Sequence, residues 1–192
     1  DISVYANVVN NEEVKYIPSD FKGIGLYRTE FILMNEEYAF DYLKQAATYI
    51  EALEMMAGKP ITFRTFDFGG DKQVEYLPHL KKGIENYYVY RKLFENQIKA
   101  LLVASKKYPN QVRIMFPMIE TFKQYQELKK AVVKLAKEEG IKVPSIGMML
   151  ETQSAFINLV DFKNVDFISV GTNDLTSELF NVSRDEVILF EN

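Results

Sequence analysis

Short apolar runs alternate with longer amphipathic stretches along this chain. The runs are residues 2–9, Gly23-Ile-Gly-Leu-Tyr27, Ile61-Thr-Phe63, Val112-Arg-Ile-Met-Phe116, Ser145-Ile-Gly-Met-Met-Leu150 and residues 165–170. They do not switch between apolar and polar at every step, so they read as strands buried on both faces. Between them the period changes. Over 36–56, Tyr38, Tyr42, Ala46, Tyr49, Leu53 and Met56 recur at three and four, and Gly58-Lys59-Pro60 stops the helix they predict. A second helix over 86–107 carries Leu93, Ile98, Leu101 and Leu102 on its apolar side. A charged amphipathic helix over 122–139 ends at Gly140, and a shorter one covers 154–160. Residues 12–21 hold a short helix broken by Pro18, and 73–85, with Pro78 and Gly83, are irregular. Strand and helix alternate six times, which is the pattern of a parallel α/β sheet.

The polar residues gather just after the strands. Arg28 comes after the second run, Arg64 after the third, Glu151 after the fifth, and Asn173 with Asp174 after the sixth. Active sites collect at the carboxyl ends of parallel strands, in barrels and in open sheets alike. Four strand ends carrying two arginines, a glutamate and an Asn-Asp pair therefore predict one convergent site.

Composition narrows the chemistry. The 192 residues suffice for one domain with a sizeable core. A net charge of −4 gives no bulk attraction to nucleic acid or to a membrane surface. The absence of cysteine removes disulfides, thiolate catalysis and cysteine zinc sites, and the single histidine, His79, removes histidine-cluster metal sites. His79 itself reads as an ordinary loop residue. No apolar run is long enough for a membrane span, and the start Asp1-Ile-Ser-Val resembles no signal peptide. It also lacks an initiator methionine. The expectation is a soluble cytoplasmic protein, or a piece of one.

Within that frame the stretch Arg64-Thr-Phe-Asp-Phe-Gly-Gly-Asp-Lys72 reads as an anion-handling loop. An arginine forks onto carboxylate or phosphate oxygens, and Gly69-Gly70 allows a close backbone approach. Arg28 and Arg64 suit a small doubly anionic ligand. Glu151 and Asp174 are hard oxygen donors suited to magnesium or manganese. Asn173 can orient a phosphate oxygen, and Arg184 can add a third fork. Each residue also has a plainer reading: Arg28 and Glu30 as an exposed ion pair, Glu151 as part of a helix start, Asn173-Asp174 as a cap and turn.

Five motifs occur in order: Gly23-Ile-Gly-Leu-Tyr-Arg-Thr-Glu-Phe31, Arg64 to Lys72, Arg113-Ile-Met-Phe-Pro-Met118, Ile146-Gly-Met-Met-Leu-Glu-Thr152 and Ser169-Val-Gly-Thr-Asn-Asp-Leu-Thr176. Together they resemble the C-terminal domain of phosphoenolpyruvate–protein phosphotransferases, enzyme I of the bacterial sugar phosphotransferase system. The form of the second motif sets that group apart from pyruvate phosphate dikinase and phosphoenolpyruvate synthase. The resemblance implies a (β/α)8 barrel, here with about six of its eight units, forming a dimer and binding phosphoenolpyruvate and magnesium. It implies phosphate-binding roles for Arg28 and Arg64, metal-ligand roles for Glu151 and Asp174, a phosphate contact for Asn173 and a substrate contact for Arg184. It further implies a separate phosphohistidine region and an HPr-type carrier as partners, with no catalytic residue inside this chain.

The departures matter too. The family carries an Asn-Pro-x-Leu-Gly-x-Arg-x-x-Arg segment whose first arginine contacts phosphate. The matching stretch, 77–90, is shorter and has no arginine; Lys81, Lys82 and Arg91 are the nearest cations. Gln153 stands where proline is usual. The family's last two units, their cysteine and the phosphohistidine region are expected to lie outside the whole span 1–192, a partial barrel domain. Six units cannot close an eight-stranded barrel, so the first and sixth strands are expected as edges. The leading expectation is phosphoryl transfer from phosphoenolpyruvate to a protein histidine in sugar uptake. The alternatives are a non-catalytic dimerisation or regulatory module, or a magnesium-dependent lyase acting on a 2-oxo acid. The Gly-Gly-Asp-Lys loop argues against the lyase.

Overall fold

The computed structural model describes residues 2–68, 74–81 and 83–182. Six parallel strands form one sheet in sequence order: β1 (Ala6–Val8), β2 (Ile24–Arg28), β3 (Ile61–Arg64), β4 (Val112–Phe116), β5 (Ser145–Leu150) and β6 (Ile168–Val170). Every pairing is parallel, and the register sets Arg28 beside Arg64 and Arg64 beside Met115. The sheet is open in its pairing but curled in space, since Asn7 of β1 and Gly171 after β6 line the same cavity. A curled run of parallel strands with helices outside it is part of a (β/α)8-type barrel. The α/β class expected from the pattern and the partial barrel implied by the resemblance are borne out.

The middle strands are buried as their composition predicts. Ile61, Phe63, Ile114, Phe116, Ile146 and Met148 are inaccessible. Tyr27, Tyr49 and Phe63 form an aromatic knot between sheet and helix, with ring centroids 4.9 to 6.5 Å apart. Edge-to-face and tilted contacts of this kind add to the burial energy. Gly23 is required where β2 begins. A side chain there would meet the Pro60 carbonyl at 2.3 Å, and that carbonyl accepts the Ile24 N–H at 2.9 Å.

The helices differ from the periodic reading in informative places. The first, α1 (Asn11–Val14), is a single turn and ends well before Pro18. The helix expected over 36–56 is two, α2 (Glu36–Phe40) and α3 (Tyr42–Met55). Asp41 divides them: its backbone is extended and its carboxylate accepts the Leu43 and Lys44 N–H groups. An aspartate offers the backbone an N-cap as readily as it tolerates a helix interior. The helix expected over 86–107 likewise divides at Tyr90 into α4 (Glu85–Val89) and α5 (Arg91–Lys107). Leu93, Ile98, Leu101 and Leu102 of α5 are inaccessible, as the spacing predicts. The charged helix is α6 (Phe122–Glu138), opened by a Thr121–Gln124 capping box. Beyond β5 come α7 (Gln153–Ile157) and a 3-10 turn, Leu159–Asp161.

β6 is shorter than the apolar run 165–170 and less covered. Ile168 is 41% and Val170 57% exposed, so β6 is an edge among the described residues, as expected. After it α8 (Thr172–Phe180) begins at once, capped by Gly171. Asn173 and Asp174 therefore lie in the first turn of a helix, not at its cap. Among the described residues no helix is long and apolar enough to cross a membrane.

Candidate functional site

The carboxyl ends of β2, β3, β5 and β6 open into one cavity of about 290 Å³. Arg28, Arg64, Met149, Glu151, Asn173 and Asp174 are among the residues that line it. Five of the six site residues expected from the sequence thus meet in one place. Arg184 and the loop 69–73 lie outside the described residues. A larger cavity, about 610 Å³, sits at the opposite end of the sheet between Val112 and Ser145. Its lining contains one carboxylate, Asp166, which already holds Lys129 and the Ile146 N–H. Size favours that cavity, but chemistry favours the smaller one.

Arg64 ends β3 and is held from two sides. Its Nη2 donates to Glu30 Oε1 at 3.1 Å, and its Nη1 lies 3.2 Å from Asp67 Oδ2. Glu30 Oε1 also accepts the Asp67 N–H at 3.1 Å. Burial opposes the guanidinium charge, but Glu30, Asp67 and Glu151 outweigh it and raise the pKa further. Arg64 stays cationic, with its plane fixed before any ligand arrives. The exposed Arg28–Glu30 pair considered from the sequence is not formed: Glu30 is only 8% exposed, and its partner is Arg64.

Arg28 ends β2 beside Arg64 in the register. The Nε atoms of both arginines are buried without a hydrogen-bond acceptor. Buried donors left unmade are costly, so two of them at one cavity mark a place built for acceptor oxygens. Two adjacent cationic forks suit a dianion.

Glu151 lies between β5 and α7 and is 1% exposed. Its Oε1 accepts the Met118 N–H at 2.7 Å. Burial, opposed by that hydrogen bond and by Arg64, and reinforced by Asp67 and Asp174, pushes its carboxyl up to about 7. The helix-start reading fails in detail, because Thr152 caps α7 through the Ala155 N–H while Glu151 turns into the cavity. Gly171 leaves room for it: a Cβ there would lie 2.8 Å from Glu151 Cβ and 3.0 Å from Oε2. Among the described residues no three metal-binding side chains of the His, Cys, Asp and Glu types cluster. Two carboxylates, Glu151 and Asp174, do line the cavity. A buried carboxylate crowded by other carboxylates is relieved by a cation, and magnesium commonly takes one or two protein carboxylates plus water. The donor set fits a hard divalent cation.

Other candidates fall away. Lys81 pairs with Glu85 and Arg91 with Glu95, all on the outer surface, and neither cation lines the cavity. Lys82 lies outside the described residues. His79 is exposed in its loop, as expected of a bystander. What the sequence reading missed is the support: Glu30, Asp67 and Gln97. Glu30 was visible as a neighbour of Arg28, but its true partner is set by the strand register.

Comparison with known proteins identifies the family. The family model of the PEP-utilising enzyme, PEP-binding domain, matches residues 1–191. The multiphosphoryl transfer protein of Rhodobacter capsulatus is 35% identical over 98% of this chain and 24% of its own length. The phosphoenolpyruvate-protein phosphotransferases of Priestia megaterium and Bacillus subtilis are 38% and 36% identical, each over 91% of this chain and 33% of their own length. The chain thus spans about a quarter to a third of these relatives. The likeness read from the five motifs is borne out, and the chain belongs to the family of PEP-binding domains of PEP-utilising enzymes.

Proposed function

We propose that the cavity at the strand ends binds phosphoenolpyruvate with magnesium, as the substrate domain of a phosphoenolpyruvate-dependent phosphotransferase. The observation that carries this reading is the meeting of Arg28, Arg64, Glu151, Asn173 and Asp174, from four strand ends, around one cavity. Arg28 and Arg64, which both line the cavity, hold the phosphate. Glu30 and Asp67 hold Arg64 in place, so little ordering remains to be done on binding. Asn173 donates its amide to a phosphate oxygen, and Arg184 adds a substrate contact from beyond the described residues. Glu151 and Asp174 are the metal ligands. Magnesium, when bound, supplies positive charge to the phosphoryl oxygens as the bond to the enolate breaks.

No residue of this chain is assigned as the phosphoryl acceptor. The acceptor is a histidine on a separate phosphohistidine region, which passes the group to an HPr-type carrier protein in sugar uptake. The protein works in the cytoplasm as a homodimer. Isothermal titration of phosphoenolpyruvate into the purified chain, with and without magnesium, tests the core of this reading. Magnesium-dependent binding is expected. A folded chain that ignores phosphoenolpyruvate would instead support a non-catalytic assembly module.

A further inference from the structure

Beneath the two arginines lies a polar side chain that touches neither. Gln97 of α5 is fully inaccessible, in a stretch where its neighbours Phe94, Ile98 and Leu101 are apolar core. Its Oε1 accepts the Phe66 N–H at 2.9 Å, in the loop after β3. Its Nε2 donates to Thr29 Oγ1 at 2.9 Å, in the turn after β2, and to Tyr49 OH of α3 at 3.2 Å. Thr29 Oγ1 in turn donates to the Arg64 carbonyl at 2.8 Å. Tyr49 donates onward to Gln45 Oε1 at 3.3 Å, and Gln45 Nε2 to the Ala39 carbonyl at 2.7 Å. One amide thus joins the residue after Arg28 to the segment after Arg64, and anchors both to two helices.

We infer that Gln97 is the positioning residue that fixes the spacing of the Arg28 and Arg64 loops. The inference rests on the proposed binding of phosphoenolpyruvate only for its functional consequence; the loop coupling stands by itself. A buried amide in an apolar helix face costs free energy unless it is fully bonded, and here both ends are bonded to loop atoms. A leucine or methionine would fill the same space without that demand. The donor end and the acceptor end are both needed, because Thr29 requires a donor and Phe66 an acceptor. Strand pairing sets the register at Arg28 and Arg64, but the ladder ends there. Past its end, Gln97 takes over. Two cationic forks that share one phosphate tolerate little change in separation, since misplacement by about 1 Å costs on the order of a hundredfold in well-organised sites.

The test compares Gln97→Met with Leu101→Ala, which removes core volume on the same helix and no hydrogen-bonding group. Deuterium exchange of the segments 28–31 and 64–67 is read alongside titration of phosphoenolpyruvate with magnesium. Gln97→Met is expected to raise exchange in both segments and to weaken binding by roughly tenfold or more. Leu101→Ala is expected to lower the melting temperature with both segments still protected and affinity within about twofold. Unchanged exchange in Gln97→Met overturns the inference, whatever the ligand does. Loosened loops in Gln97→Met, in a protein whose unmutated form binds no phosphoenolpyruvate, leave the positioning role standing and sink the proposed substrate. If Gln97→Met does not fold, Thr29→Val removes the contact of Gln97 Nε2 together with the direct Thr29–Arg64 bond, so the readout is the Phe66 amide, whose acceptor is Gln97 Oε1: faster exchange there is expected, and a Phe66 amide still protected overturns the inference.

Discussion

Glu30 and Arg64 form a buried ion pair, 3.1 Å between Oε1 and Nη2, that joins the turn after β2 to the end of β3. Both side chains are about one-tenth exposed, so the pair is not a surface ornament. It decides which way a cationic fork points at the cavity. Removing one partner of a buried pair leaves the other charge uncompensated.

Glu30→Gln is therefore expected to cost about 3 kcal/mol in folding free energy, softened by Asp67, which remains beside Arg64. It should also weaken phosphoenolpyruvate binding, because Arg64 gains freedom. Urea denaturation and calorimetry read the two effects. Loss of less than about 0.5 kcal/mol would mean that Asp67 alone holds the guanidinium.

The Glu151 carboxyl gives a pH signature. Its ordinary value of 4.5 applies to the unfolded chain, and the fold pushes it up to about 7, chiefly by burial. The fold thus favours the protonated form. This favourable contribution is complete below pH 4.5 and is lost as pH rises through 7. Glu151→Gln has no such titration. Without divalent cations, the stability of the unmutated chain relative to Glu151→Gln should fall by roughly 3 kcal/mol between pH 4.5 and pH 7. Magnesium should restore the loss in the unmutated chain only. A pH-independent difference would refute the crowded carboxylate.

Gly171 tests the cavity without touching a charge. Its φ of −90° suits any residue, so a substitution there acts by volume. Gly171→Ala places a methyl group 2.8 Å from Glu151 Cβ, and the carboxylate must move. Magnesium affinity is expected to fall roughly 10- to 100-fold, in the range of lost support around metal ligands. Isothermal titration with magnesium checks it; equal affinity would place the cation away from Glu151.

Asp41 provides the contrasting case. Its carboxylate caps α3 through two N–H groups, and Asp41 does not line the cavity. Asp41→Ala should cost about 1 kcal/mol of stability and leave ligand affinity unchanged. A change in affinity would show that α3 reports to the site more strongly than its cap implies.

The candidate site residues were legible because parallel α/β architecture puts such positions at strand ends. Arg28, Arg64, Glu151, Asn173 and Asp174 each come after an apolar run, and a sheet of parallel strands brings such positions together. The residues that organise them were not legible. Glu30 sits two residues from Arg28, yet pairs with Arg64, 34 residues away. Gln97 lies in the middle of an amphipathic helix, where a lone polar residue carries no local signal. Asp41 and Tyr90 break helices that spacing alone predicts to be continuous, because periodicity reports a buried face and says little about backbone continuity.

By itself the sequence determined the alternation of strands and helices, the parallel class, the buried faces and a set of candidate site residues. These depend on local pattern: which positions are apolar, and which polar residues stand at the end of each apolar run. The tertiary structure decided which carboxylate holds which arginine, how far the Glu151 carboxyl is pushed, and which amide couples the loops. Those depend on strand register and on distances across the sheet. A pair such as Glu30 and Arg64 exists only once β2 and β3 lie side by side, with Arg28 aligned to Arg64.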